Sequence, residues 1–131
     1  MAEPRLLLLA HDADAVPTIS ALVQSAAVRV TDIVYDQRAR RVVLLTSRYR
    51  WEHDDLTRIR SALRIESVVC VARRRWPADA VLELLALTLG GDALTLTFAG
   101  GTTLRVIVEC PDLTLEDISA PWPATREPRY D

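Results

Sequence analysis

The chain opens on a continuous apolar run, Leu6 to Leu9, whose length and polar borders predict a short strand covered on both faces. His11-Asp12-Ala13-Asp14 then leads into a helix. Pro17 sets where that helix starts, because a proline lacks the N–H needed at every position beyond the first turn. Asp14 as N-cap and Pro17 as third helical residue leave Val16, Ile19, Leu22, Val23 and Ala26 on one apolar stripe, which predicts a helix lying on a sheet.

From Val28 the period changes to two. Val28 to Tyr35 and Arg41 to Trp51 read as strands joined across the polar Asp36 to Arg40. The second starts apolar on both alternations at Val42 to Leu45. It then places Thr46, Arg48 and Arg50 on one side and Ser47, Tyr49 and Trp51 on the other. Arg58 to Arg64 alternates again, with Ile59, Ser61, Leu63 and Ile65 opposite Arg58, Arg60, Ala62 and Arg64. A slip at Ile65 to Val68 predicts a bulge before Val69 to Arg73.

Val81 to Leu89 is apolar on both alternations apart from Glu83 and reads as a central strand, with a helix as the competing assignment. Leu94 to Phe98 and Thr102 to Glu109 follow, joined at Ala99-Gly100-Gly101. A three-residue loop pairs Leu96 with Leu104 and Leu94 with Val106, and this matching of apolar faces selects it over a two-residue loop. Leu113 to Ile118 predicts a short C-terminal helix capped by Asp112 or Thr114.

The expected fold is therefore α+β. A single domain over residues 1–118 holds a curved antiparallel sheet or partly closed barrel of six to seven strands, with the N-terminal helix packed on it and the short C-terminal helix after it. Residues 119–131, with Pro121, Pro123 and Pro128, form an extended Pro-rich tail anchored by Trp122. Strands that are apolar on both alternations call for a sheet covered on both faces.

Charge changes the picture more than overall composition does. Residues 38–75 carry eleven of the sixteen arginines against four of the eighteen acids, a local excess of seven positive charges that leaves the remainder nine negative. Every basic residue is Arg, so charged recognition would use planar, bidentate donors. If the strands ending at Trp51 and beginning at Arg58 are antiparallel neighbours, Arg48, Arg50, Arg58 and Arg60 line one face with Trp51 beside them. Like charges opposed across strands are destabilising, so such an array needs an anion, an acidic partner or ordinary surface pairing with the chain's own acids.

Other chemistry has little support. The sequence pI near 5.7 and the lack of a nucleic-acid motif argue against nucleic acid. His11, Asp12 and Asp14, and Glu52, His53, Asp54 and Asp55, have no recognised metal-ligand spacing, and no cofactor or catalytic motif is found. Cys70 and Cys110 lie in apolar runs outside any CxxC, which predicts two buried, reduced thiols and a cytoplasmic protein. No apolar stretch reaches the length of a membrane span.

Arg48-Tyr49-Arg50-Trp51-Glu52, Arg60-Ser61-Ala62-Leu63, Phe98-Ala99-Gly100-Gly101, Val108-Glu109-Cys110 and Trp122 with Thr125-Arg126 and Pro128 together resemble an uncharacterised family of short alphaproteobacterial proteins, a domain of unknown function. A glycine is usual in that family where this chain has Ala62. The resemblance implies a small bacterial cytoplasmic protein and transfers no activity. The functional expectation is a non-enzymatic binding or assembly module that holds an acidic partner, or its own acidic part in a homo-oligomer, at Arg48, Arg50, Trp51, Arg58 and Arg60. The alternative is an enzyme or sensor binding a phosphorylated or carboxylated metabolite at the same arginines.

Overall fold

A computed structural model describes residues 5–124 and residue 128. The strands are β1 (Leu7–Ala10), β2 (Ala26–Arg29), β3 (Ile33–Asp36), β4 (Arg41–Tyr49), β5 (Thr57–Ile65), β6 (Val68–Arg74), β7 (Val81–Gly90), β8 (Ala93–Phe98), β9 (Thr103–Val108), β10 (Leu113–Asp117) and β11 (Trp122–Pro123). Helix α1 (Val16–Leu22) lies between β1 and β2. All pairings are antiparallel, and the sheet runs β1-β10-β5-β4-β2-β7-β8-β9-β6, with β3 on β4 and β11 on β5. β1 and β6 end this path, so the curled sheet stays open.

Alternation explains the layers. β10 buries Leu113, Leu115 and Asp117 while Thr114 and Glu116 face outward. Register carries this through the sheet: Leu115 lies opposite Leu63, and Leu63 opposite Leu44, all three without solvent exposure. These rows join Val28, Leu84, Leu96, Phe98 and Val106 in one apolar core on the concave side. α1 adds Val16 and Ile19, with Val23 just beyond its end, and packs against β7. Among the described residues no helix is long and apolar enough to cross a membrane.

The antiparallel sheet with an N-terminal helix agrees with the sequence pattern, but the sheet has eleven strands rather than six or seven, and the expected C-terminal helix is strand β10. Strict alternation from Leu113 to Asp117, used by partners on both sides, outweighs the local capping signal. Asp14 is not the cap. Asp12 accepts from the Ala15 N–H at 3.0 Å and caps a 3-10 turn over Ala13–Ala15, which feeds α1 with Pro17 as its second residue. α1 ends at Leu22, so Ala26 belongs to β2, and the strand expected over Val28 to Tyr35 is broken by a 3-10 turn at Val30–Asp32.

The loop at Ala99-Gly100-Gly101 pairs Leu96 with Leu104 and Leu94 with Val106 as the apolar pattern requires. Gly100 and Gly101 have φ of 82° and 84°, a region glycine enters without Cβ strain. The bulge in β6 falls between Val68 and Cys70, after a left-handed Ser67 turn. Cover on both faces does not hold: Val81 and Leu85 of β7 are 61% and 41% exposed. Both cysteines are free and exposed, because Cys70 lies on edge strand β6 and Cys110 in the bend after β9. In the tail, Trp122 pairs with Arg58 and Pro123 with Thr57, while residues 125–127 and 129–131 lie outside the described residues.

Candidate functional site

β4 and β5 are neighbours, yet their register separates the arginines expected on one face. Arg48 stands opposite Ile59, and Ser47 and Tyr49 stand opposite Arg60 and Arg58. Paired residues share a face in an antiparallel ladder, so Arg48 points to the concave side and Arg58 and Arg60 to the convex side. Arg50, just beyond β4, follows the alternation of Arg48 and is buried.

The concave arginines meet inward-facing polar residues. Thr46, Ser61 and Asp117 form one row across β4, β5 and β10, next to Arg48 and all buried. Arg48 Nε donates to Asp117 Oδ1 and Ser61 Oγ, each at 3.1 Å, and Nη2 donates to Asp117 Oδ2 at 2.9 Å. Its Nη1 and Nη2 also grip Glu52 Oε1 and Oε2 at 2.9 and 2.7 Å, and the Ser61 hydroxyl donates to Asp117 Oδ1 at 2.5 Å.

Burial acts to lower the Arg48 pKa, but hydrogen bonds and charge attraction from Glu52 and Asp117 outweigh it, so the guanidinium is held above its ordinary value. Burial likewise acts to raise Glu52, but the bonds and charge from Arg48 prevail and lower it. Arg48 is therefore neutralised inside the fold. Arg50 Nη1 donates to Asp55 Oδ2 at 3.2 Å and Thr57 Oγ1 at 3.1 Å, while Nη2 lies 2.8 Å from His53 Nε2. Thr57 donates to Asp55 Oδ1 at 2.6 Å, and this bond is the main reason the Asp55 carboxyl is held below its usual range. A cavity of about 390 Å³ opens here, lined by Arg5, Arg50, Glu52, His53 and Asp117 against Leu6 and Ile59.

The convex face differs. Arg58 is half-buried between Tyr49 and Trp122 in its register row. Its Nη2 donates to the Ser47 and Ser25 carbonyls at 2.8 and 3.3 Å, and Nε to Ser47 Oγ at 3.3 Å. Burial lowers its pKa, with Glu83 opposing. None of those hydrogen-bond partners is a carboxylate. Arg60, in the next row, is exposed and makes no side-chain ion pair with a described residue, whereas Arg64 four positions on is held by Glu116 at 2.7 Å. Trp51 packs edge-on to Tyr49, with ring centroids 4.8 Å apart, and its indole N–H donates to the Gln24 carbonyl at 2.9 Å.

A family model described as protein of unknown function (DUF2948) matches residues 6–130. The chain belongs to this family. No curated protein and no solved structure matches it significantly. The DUF2948 match includes both the buried charge cluster and the convex arginines, and its description assigns no activity.

Among the described residues no group of three or more His, Cys, Asp or Glu side chains is placed to hold a metal ion. Of the five residues singled out in the sequence, Arg48 and Arg50 belong to a concave charge cluster, and Trp51, Arg58 and Arg60 lie with Tyr49 and Trp122 around the convex face. Ser61 and Asp117 were missed as members of the cluster. Their signal is a polar residue at an inward position of an otherwise apolar alternation, as with Ser61 between Ile59 and Leu63.

Proposed function

We propose that the protein is a non-enzymatic binding module whose convex sheet face receives an acidic protein surface, with Arg58 and Arg60 as the charged contacts. The observation that carries this reading is the unequal neutralisation of the arginines. Arg48 and Arg64 have carboxylate partners at hydrogen-bond distance, whereas Arg58 is half-buried on carbonyls and a hydroxyl, and Arg60 beside it has no ion pair with a described residue.

A partner's carboxylates would relieve the desolvation of Arg58 and give Arg60 a bidentate mate. Trp122, 39% exposed, adds a flat apolar surface in the same row. Arginines beside an aromatic residue match the composition of protein interfaces.

The test combines light scattering at low and high salt with titration of a hexaglutamate peptide followed by tryptophan fluorescence. Arg58→Ser with Arg60→Ser should remove salt-sensitive association or peptide binding, and Arg64→Ser should leave it. Unchanged mass together with unchanged peptide binding in the double variant would overturn the proposal.

A further inference from the structure

Away from the convex arginines, the open sheet leaves a second feature that the binding reading does not use. Among the described residues β3 pairs only with β4 and β6 only with β9, so each leaves one edge without a described partner strand. A hydrogen bond of 3.0 Å from the Val68 N–H to the Arg40 carbonyl ties the start of β6 to the β3–β4 turn. From there a pocket of about 290 Å³ lies between the two strands, floored by Val42, Val71 and Leu104 and walled by Tyr35, Arg73 and Trp76.

Register shows what faces into it. Tyr35 is opposite the buried Val42, and Arg73 is opposite the buried Leu104. Both polar side chains thus stand at inward positions of the sheet, one on each of these strands. Arg73 Cζ lies 5.6 Å from the centre of the Trp76 ring, and Trp76 is braced edge-on against the buried Phe98 at 6.2 Å. Arg73 makes no ion pair with a described carboxylate, and no described residue hydrogen-bonds the Tyr35 hydroxyl. An apolar floor, a fixed indole wall and two convergent polar groups with unused capacity are the ingredients of a small-molecule site.

We infer that the gap between β3 and β6 binds a small aromatic carboxylate. The ring lies on the apolar floor beside Trp76, Arg73 takes the carboxylate in a bidentate pair, and the Tyr35 hydroxyl donates to the same group. Charge selects the class: a guanidinium at the mouth of an apolar pocket favours an anion over its neutral isostere. The volume, at the small end of ligand pockets, limits the ligand to about one ring and a short acidic arm.

The probes are benzoate and indole-3-acetate, with benzamide and indole-3-acetamide as neutral isosteres, each titrated into the full chain and followed by amide NMR shifts. The expected result is carboxylate binding at least about tenfold tighter than amide binding, with shifts centred on Tyr35, Val71 and Trp76. Arg73→Gln should abolish the acid-over-amide preference, Tyr35→Phe should weaken it a few-fold, and Arg74→Gln on the neighbouring position should leave it. Equal affinities for acid and amide, no shifts in this pocket at about 10 mM probe, or equal losses in the Arg73 and Arg74 variants would each overturn the inference. Arg58 and Arg60 take no part in it, so the two proposals stand or fall separately.

Discussion

Arg48 and Asp117, 69 positions apart in sequence, form a buried two-point pair that fastens β4 to β10 across β5. The side chains are 0% and 4% exposed, so neither charge can be rescued by solvent if the other is removed. Arg48→Ala should destabilise the protein by about 3 to 5 kcal/mol in urea unfolding, the range for orphaning one member of a buried pair, because Asp117 then keeps only the Ser61 hydroxyl as a partner. Asp117→Ala made on that background should cost much less than in the native chain. A double-mutant cycle with coupling near zero would show that the pair does not hold the strands.

Glu52 makes the same cluster sensitive to acid. Its pKa is lowered in the folded protein, so its stabilising contribution is complete above the ordinary glutamate value and is lost as pH falls through the lowered folded value. The Arg48 shift is upward, at the alkaline extreme, and contributes nothing to this window. Stability measured from pH 6 down to about pH 3 should therefore fall less steeply in Glu52→Gln than in the native chain. Parallel curves would remove Glu52 from the acid transition.

Alternation made most of the sheet legible, including the pairing of Leu94 with Val106 across the glycine loop, because one-residue slips would turn apolar side chains outward. It failed where strands are short or interrupted: Val30–Asp32 breaks the run from Val28 to Tyr35 through a local turn whose residues still have strand-like composition. The arginine site was half legible. The alternation put Arg48 and Arg50 on one side of β4 and Arg58 and Arg60 on one side of β5, but which sides coincide depends on register. Opposing Arg48 to Ile59 instead of to an arginine moves like charges to opposite faces of the sheet. Of the acids that neutralise Arg48, Glu52 is only four positions away in the turn after β4, whereas Asp117 comes from β10, and long-range pairing of that kind leaves only a weak local trace, a polar residue in an apolar alternation.

The exposed cysteines give a direct check on the outer surface. Cys70 lies at the β6 bulge, and Cys110 has its Sγ 3.7 Å from the Ser67 hydroxyl at the surface. Both thiols should react with a bulky aromatic disulfide reagent in the folded protein, at rates close to those of an unfolded control. Exposure rather than an unfolding event controls their access. Protection of either thiol until denaturant is added would mean that its strand is covered in solution, and for Cys70 this would point to a partner on the β6 edge.

Ser20 stands in for a missing strand. Pairing of β2 with β7 stops at Leu84, and a register irregularity between Leu84 and Ala86 marks where β7 passes beneath α1. There the Leu87 N–H donates to Ser20 Oγ at 2.9 Å, a role the next residue of β2 would have filled had the chain not turned from α1. Ser20→Ala leaves this donor without its partner and should destabilise the protein by about 1 kcal/mol or more, while Ser20→Thr, which keeps the hydroxyl, should cost less. Hydrogen exchange separates this bond from general packing. The Leu87 amide should lose protection in Ser20→Ala beyond the global change, whereas the Leu84 and Leu96 amides should follow global stability alone. Leu87 protection that moves only with the global value would assign Ser20 a packing role instead.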